Sequence, residues 1–103
     1  MQIECHERFG IIFPPERIDL TNTKRFKEAL QSLYEQGYSS IKVDCTELAM
    51  IDSAGLGSLV MFQKRLKERD GELKIINVNH RYIKQLFDML ELSRIISIEE
   101  GKI

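Results

Sequence analysis

Tryptophan is missing from this chain, and cysteine and proline are scarce, at two residues each in 103. Cys5 and Cys45 are far apart and match no metal-ligand spacing. Both fall in or beside predicted strands, which reads as buried free thiols in a reducing cytoplasm. A disulfide between them stays open at this level. Charge of one sign is lacking as well: 15 Lys and Arg stand against 16 Asp and Glu, so bulk electrostatics gives no case for nucleic acid as a partner. The densest basic stretch, Lys64 to Arg69, contains Glu68 and runs into Asp70, as a solvated helix face does. No apolar run is long enough for a membrane-spanning helix, which predicts no direct membrane insertion. Met1-Gln2-Ile3-Glu4 lacks the basic-then-apolar order of a secretory leader, so a cytoplasmic location is expected. Internal repeats, low-complexity stretches and linkers are absent too, and residues 1–103 read as one domain.

What is present is an alternation of short apolar segments. Residues 2–6 and 9–13 predict two strands joined by a tight charged turn around Glu7-Arg8, an antiparallel hairpin that Pro14-Pro15 stops. Thr21-Asn22-Thr23 offers N-cap side chains to a helix whose inner face is Phe26, Ala29, Leu30, Leu33 and Tyr34, with Gly37 ending it. Ile41, Val43 and Cys45 alternate with Lys42, Asp44 and Thr46, a strand covered on one face. The next helix runs to about Arg69, with Leu56, Leu59, Val60 and Leu66 as its inner stripe and Met61 and Phe62 beside it. After the Asp70-Gly71 turn come a strand from Leu73 to Val78, a helix with Ile83, Leu86, Phe87 and Leu90 on one face, and a last strand from Ile95 to Ile98. This order implies parallel crossovers and an α/β domain: a mixed sheet of about four to five strands, an N-terminal β-hairpin and three main helices. Asp19, Asp52, Ser53 and His80 all leave the C-terminal ends of strands, the edge where functional groups gather in such sheets.

Chemistry concentrates at Ile51-Asp52-Ser53-Ala54-Gly55-Leu56-Gly57, a strand-to-helix turn. A helix N-terminus presents free N–H groups and a partial positive charge, so a phosphate on Ser53 would find a favourable place there. Gly55-Leu56-Gly57 supplies Gly-x-Gly, but Val60 stands where a dinucleotide fingerprint needs its third glycine, and no Gly-x-x-x-x-Gly-Lys phosphate loop occurs. As a hydrolase nucleophile Ser53 lacks the Gly-x-Ser-x-Gly elbow, although His80, with Asp19 or Asp52, could share its edge; a capping or surface role suits His80 better. Asp44 ends a strand like the phosphoacceptor of a receiver domain, without that domain's acidic pair and lysine. No residue cluster suggests a metal, and no cofactor is implied. The plainest alternative makes Ser53 an N-cap, with Gly55 and Gly57 allowing close packing by another backbone, internal or a partner's.

The turn resembles the Asp-Ser-Ser/Ala-Gly-Leu-Gly signature of the STAS domain, found in sulfate transporters and anti-sigma factor antagonists. The similarity extends to Ile18-Asp19, to Ile41–Asp44 with Leu48 and Ile51, to Gly71–Val78, and to Ile83–Ile96, which resembles the family's Val-x-x-x-Phe-x-x-x-Gly-Leu helix. The resemblance implies a STAS-like single domain that is not an enzyme. It implies binding to an anti-sigma factor with serine kinase activity, which frees a sigma factor. It further implies phosphorylation of Ser53, which ends that binding, and a metal-dependent serine phosphatase that restores it. By the same match Asp19, Asp52, Ser53, Ala54, Gly55 and Leu56 form the partner-binding surface. An alternative within the family is a docking subunit of a larger complex, such as a lipid transporter or stressosome, without phospho-switching. Three features depart from the pattern: Ala54 replaces the motif's second serine, Pro14-Pro15-Glu16 replaces the usual lead-in to Ile-Asp, and little chain follows Ile98 for the C-terminal helix that many members carry.

Overall fold

The computed structural model describes residues 1–101. Its hairpin pairs β1 (Gln2–Cys5) with β2 (Gly10–Phe13) antiparallel, with Gln2 opposite Phe13 and Cys5 opposite Gly10. Helix α1 (Thr23–Glu35) then crosses to β4 (Ser40–Asp44), α2 (Ser53–Lys67) to β6 (Glu72–Val78), and α3 (Arg81–Met89) to β7 (Ser97–Glu100). The five-stranded sheet has the order β1-β2-β4-β6-β7, and every pair after the hairpin is parallel.

Each crossover therefore steps the same way across the sheet, and right-handed connections place all three helices on one face. Burial agrees. Ile12, Val43 and Ile75 lie in register and are fully buried with Ile41 and Leu73. They pack against Phe26, Leu30 and Leu33 of α1, Leu59, Phe62 and Leu66 of α2, and Ile83 and Phe87 of α3. The alternate positions Ile11, Lys42, Asp44 and Lys74 are only half-buried, so β4 is covered on one face as its alternation predicts.

The two-stranded ribbon is not apparent in the sequence. β3 (Arg17–Ile18) and β5 (Met50–Ile51) pair parallel, Arg17 with Met50 and Ile18 with Ile51, apart from the main sheet. Two residues are too short for any alternation to register. Neighbouring backbone bonds extend the ribbon: Ala49 and Met50 both donate to the Glu16 carbonyl at 2.7 and 3.1 Å, and Asp52 N–H donates to the Ile18 carbonyl at 2.9 Å.

Four expectations need correction. The inner stripe of α2 is Gly55, Ser58, Leu59, Phe62, Gln63 and Leu66, while Val60 is exposed. Gln63 is buried because its amide does two jobs: Nε2 donates to the Ile95 carbonyl at 2.8 Å and Oε1 accepts from Leu73 N–H at 2.7 Å, tying α2 to β6 and to the chain before β7. Leu90 is half exposed, since α3 ends at Met89 and Glu91 turns the chain left-handed, φ 51°, into a short 3-10 turn at Leu92–Arg94. That turn delays the last strand to Ser97–Glu100, where only Ile96 and Ile98 of the expected strand face inward. Cys5 is exposed on the edge strand, and only Cys45 is a buried thiol.

Gly71 marks a tight passage in which the backbones themselves meet. A Cβ there would lie on the Ser39 carbonyl, which accepts from Glu72 N–H at 2.8 Å.

Candidate functional site

The ribbon of β3 and β5 aims two loops in the same direction. One residue beyond the Ile18–Ile51 pair stand Asp19 and Asp52, and two residues beyond stand Leu20 and Ser53. The sequence reading put Asp19, Asp52, Ser53 and His80 at one edge; the parallel register of the ribbon carries the first three out from one end of it, whereas His80 follows β6 of the main sheet.

Asp52, rather than Ser53, caps α2. Its backbone is extended (φ −85°, ψ 173°) and its Oδ1 accepts the Gly55 N–H at 2.7 Å. The same oxygen receives a long bond from Thr23 Oγ1, 3.4 Å away at the start of α1. Ser53 is thus the first helical residue; it is exposed, and its hydroxyl makes no hydrogen bond within the described residues. The N-cap alternative for Ser53 is thereby removed. The hydroxyl is left with no internal structural duty.

The two glycines of the motif have opposite surroundings. A Cβ on Gly55 would fall 2.8 Å from Ile51 Cγ1 and 3.0 Å from Ile18 Cγ2, so Gly55 lets α2 settle onto the ribbon. Gly57 is exposed and has open space where a Cβ would be, so the close packing expected of it has no internal partner. Ala54 is exposed and Leu56 is half-buried against the core.

Asp19 turns its carboxylate onto its own loop. Oδ1 accepts from Thr21 Oγ1 at 2.6 Å and from Thr21 N–H at 3.0 Å, while Arg17 Nε lies 3.8 Å from Oδ2. The two Thr21 bonds, with Arg17 helping and partial desolvation opposing, hold this carboxyl below its ordinary value. Asn22 occupies the α1 cap position without capping by its side chain. Its Oδ1 instead accepts from Asp19 N–H at 3.0 Å and its Nδ2 donates to the Arg17 carbonyl at 2.7 Å. The first turn of α1 is closed by the Asp19 carbonyl, which accepts from Asn22 and Thr23 N–H groups at 3.1 and 2.8 Å.

His80 is the exposed N-cap of α3, its Nδ1 accepting from Tyr82 N–H at 3.3 Å, and no hydrogen bond joins it to Ser53 within the described residues. Asp44 is also committed: Oδ1 accepts from Thr46 N–H and Oγ1, and Oδ2 from Asn77 Nδ2 at 2.9 Å. A cleft of about 240 Å³ beside it is lined by Gln2, Phe13, Pro14, Asp44, Thr46 and Glu47, and by neither Ser53 nor His80. Among the described residues no group of three or more His, Cys, Asp or Glu is arranged to hold a metal ion, and no helix is long and apolar enough to cross a membrane. The turn offers an exposed hydroxyl on a hydrogen-bonded, braced helix start, an arrangement suited to recognition by another protein.

The model of the STAS domain matches residues 1–102. The anti-sigma-B factor antagonist of Listeria monocytogenes is 34% identical over 88 residues, 85% of this chain and 76% of that protein. The Bacillus subtilis protein of the same name is 36% identical over 81 residues, 79% and 72% of the two chains. Among solved structures, the anti-sigma factor antagonist SpoIIAA superposes in its unphosphorylated form with a TM-score of 0.76 at 16% identity, covering 98% of this chain and 88% of that one. Its phosphorylated form superposes with a TM-score of 0.73 at 15% identity, covering 94% and 88%.

Proposed function

The chain belongs to the STAS domain family, and from that membership we propose that it is an anti-sigma factor antagonist switched at Ser53. Unphosphorylated, it binds an anti-sigma factor with serine kinase activity and so releases a sigma factor. The kinase transfers the γ-phosphoryl of ATP to the Ser53 hydroxyl, and the phosphoprotein lets go. A metal-dependent serine phosphatase returns the hydroxyl. The 103-residue domain acts in the cytoplasm as a regulatory binding module and does no chemistry of its own.

The observation that carries this reading is the division of labour between neighbours: Asp52 caps the helix, so Ser53 stands exposed with a hydroxyl that nothing inside the protein uses. A phosphoserine adds about −1.5 to −2 charges. At the first turn of α2 the helix dipole offsets part of this, by about 0.3–1 kcal/mol. The Asp52 carboxylate already takes the Gly55 N–H, so its charge opposes a second anion. The domain itself has little reason to refold. A partner packed over the turn meets a dianion that it must desolvate, and binding fails there. Asp19, Ala54 and Leu56 flank Ser53 as contact surface, and Gly55 contributes from below by seating α2 on the ribbon. Open space at Gly57 leaves room for a partner's backbone.

Incubation with each anti-sigma factor kinase of the source organism and ATP, followed by peptide mass spectrometry, tests the switch. The expected result is phosphate on Ser53 and release of the kinase, with Ser53→Ala still binding and remaining unmodified. Stable binding with no phosphate on Ser53 overturns it and leaves the domain as a docking subunit.

A further inference from the structure

Leu20 is the most exposed large apolar side chain described in the molecule, at 92%. A single exposed leucine needs no explanation as such. This one differs in how it is held and in where it stands.

Its backbone is fixed from both sides. The residue before it, Asp19, has its N–H donated to Asn22 Oδ1, its carboxylate bonded twice to Thr21, and its carbonyl bonded to the N–H groups of Asn22 and Thr23. Asn22 reaches back across the turn to the Arg17 carbonyl. The side chain projects from this loop into solvent, so the entropy of ordering the backbone has been spent in folding and little is left to lose on binding. Its place follows from the ribbon. Ile18 pairs with Ile51 in parallel register, so Leu20 and Ser53 are each two residues past the same rung, on chains leaving in the same direction. Thr23 Oγ1 donates to Asp52 Oδ1 at 3.4 Å, so the two loops adjoin, and a protein that covers Ser53 finds Leu20 on the adjoining loop.

We propose that Leu20 is the apolar anchor of the partner interface: it seats in an apolar pocket on the kinase that engages Ser53, and the fit of that pocket selects this domain's partner. The inference rests on the antagonist reading above and adds the residue that sets affinity and choice. Ser53 supplies the switch and Leu20 supplies the hold. Fully burying a leucine on association is worth roughly a 10- to 100-fold change in dissociation constant. The effect should fall mainly on the dissociation rate, since Leu20 carries no charge to steer encounter.

The test measures binding of the purified anti-sigma factor kinases of the source organism, without ATP, to wild type, Leu20→Ser and Leu20→Met. Calorimetry gives the dissociation constants, and surface plasmon resonance the rates. Leu20→Ser should weaken binding by roughly 10- to 100-fold with faster dissociation, Leu20→Met should stay within about threefold of wild type, and the thermal midpoint should not move, because the side chain touches solvent. Wild type and Leu20→Ser binding within about twofold of each other would overturn the anchor while leaving the antagonist reading intact. Absence of wild-type binding to every such kinase would remove both.

Discussion

Asp52 Oδ1 and the Gly55 N–H are 2.7 Å apart, and this bond decides what Ser53 can be. Two adjacent residues, Asp52 and Ser53, both belong to types that cap helices well. The cap has extended backbone, and Asp52 has it because its own N–H continues the parallel ribbon to the Ile18 carbonyl at 2.9 Å. Ser53 is thereby pushed into the first turn and outward.

Removing the cap should therefore cost stability at Asp52 and not at Ser53. Asp52→Ala should lose about 1 kcal/mol in urea denaturation, and Ser53→Ala should stay within about 0.5 kcal/mol of wild type. Asp52→Asn, which keeps the acceptor, should fall between them. Equal losses at positions 52 and 53 would contradict the assignment of the cap.

The two motif glycines should respond to alanine in opposite senses. Gly57→Ala should stabilise the free domain by about 0.5–1 kcal/mol, because a helical glycine is replaced where nothing occupies the space. Gly55→Ala should destabilise by about 1–3 kcal/mol, since its Cβ would press on Ile51 and Ile18. Thermal unfolding of the pair reads both signs in one experiment.

Asp19 should titrate below the ordinary carboxylate value of 3.8, and Thr21→Val should bring it back up by removing the side-chain hydrogen bond that matters most. Because the folded value is depressed, its stabilising contribution is present above the unfolded value and fades as pH falls through the folded one. The carboxyl is only half-buried, so the clean readout is an NMR titration of the side-chain carboxyl carbon.

The two thiols should behave unlike each other. Burial, with Asp44 nearby, pushes Cys45 up to about 12, so it stays a neutral thiol. Iodoacetamide at pH 8 should modify exposed Cys5 in the native protein and reach Cys45 only after denaturation. The raised value also means that stability linked to Cys45 is complete below the thiol's unfolded value and declines as pH rises toward 12. Alkylation of both thiols at equal rates in the folded protein would contradict the burial of Cys45.

Replacing Gln63 should be more damaging than its polar character suggests. Gln63→Leu keeps the volume and leaves the Leu73 N–H and the Ile95 carbonyl without their partner. Stranding the buried Leu73 N–H and the part-buried Ile95 carbonyl costs about 2 kcal/mol, or roughly 10 °C in the thermal midpoint of a domain this size.

Much of the fold was legible because periodicity is local. The i, i+3, i+4, i+7 spacing of Phe26, Ala29, Leu30 and Leu33 marks α1 with no knowledge of what it packs on, and all four are buried. The phase of α2 was misread because its face mixes residue types. Val60 is apolar yet exposed, while Ser58 and Gln63 are polar yet buried, each with a hydrogen-bond partner that hydropathy does not reveal. The misplaced last strand has a similar cause: Glu91 takes a left-handed conformation that usually calls for glycine, and the turn after it buries Leu92.

For the site, the sequence by itself determined the motif, the single hydroxyl at Ser53 and the strand-to-helix turn, because these follow from residue types in immediate succession. Tertiary structure decided which neighbour caps the helix, which glycine faces inward, and that the loops carrying Leu20 and Ser53 leave the same end of the ribbon. All three depend on the parallel pairing of Ile18 with Ile51, a contact between segments more than thirty residues apart and only two residues long. No local pattern can encode such a pairing; it forms because the crossovers bring β3 and β5 together over Gly55, where the absence of a Cβ leaves them room.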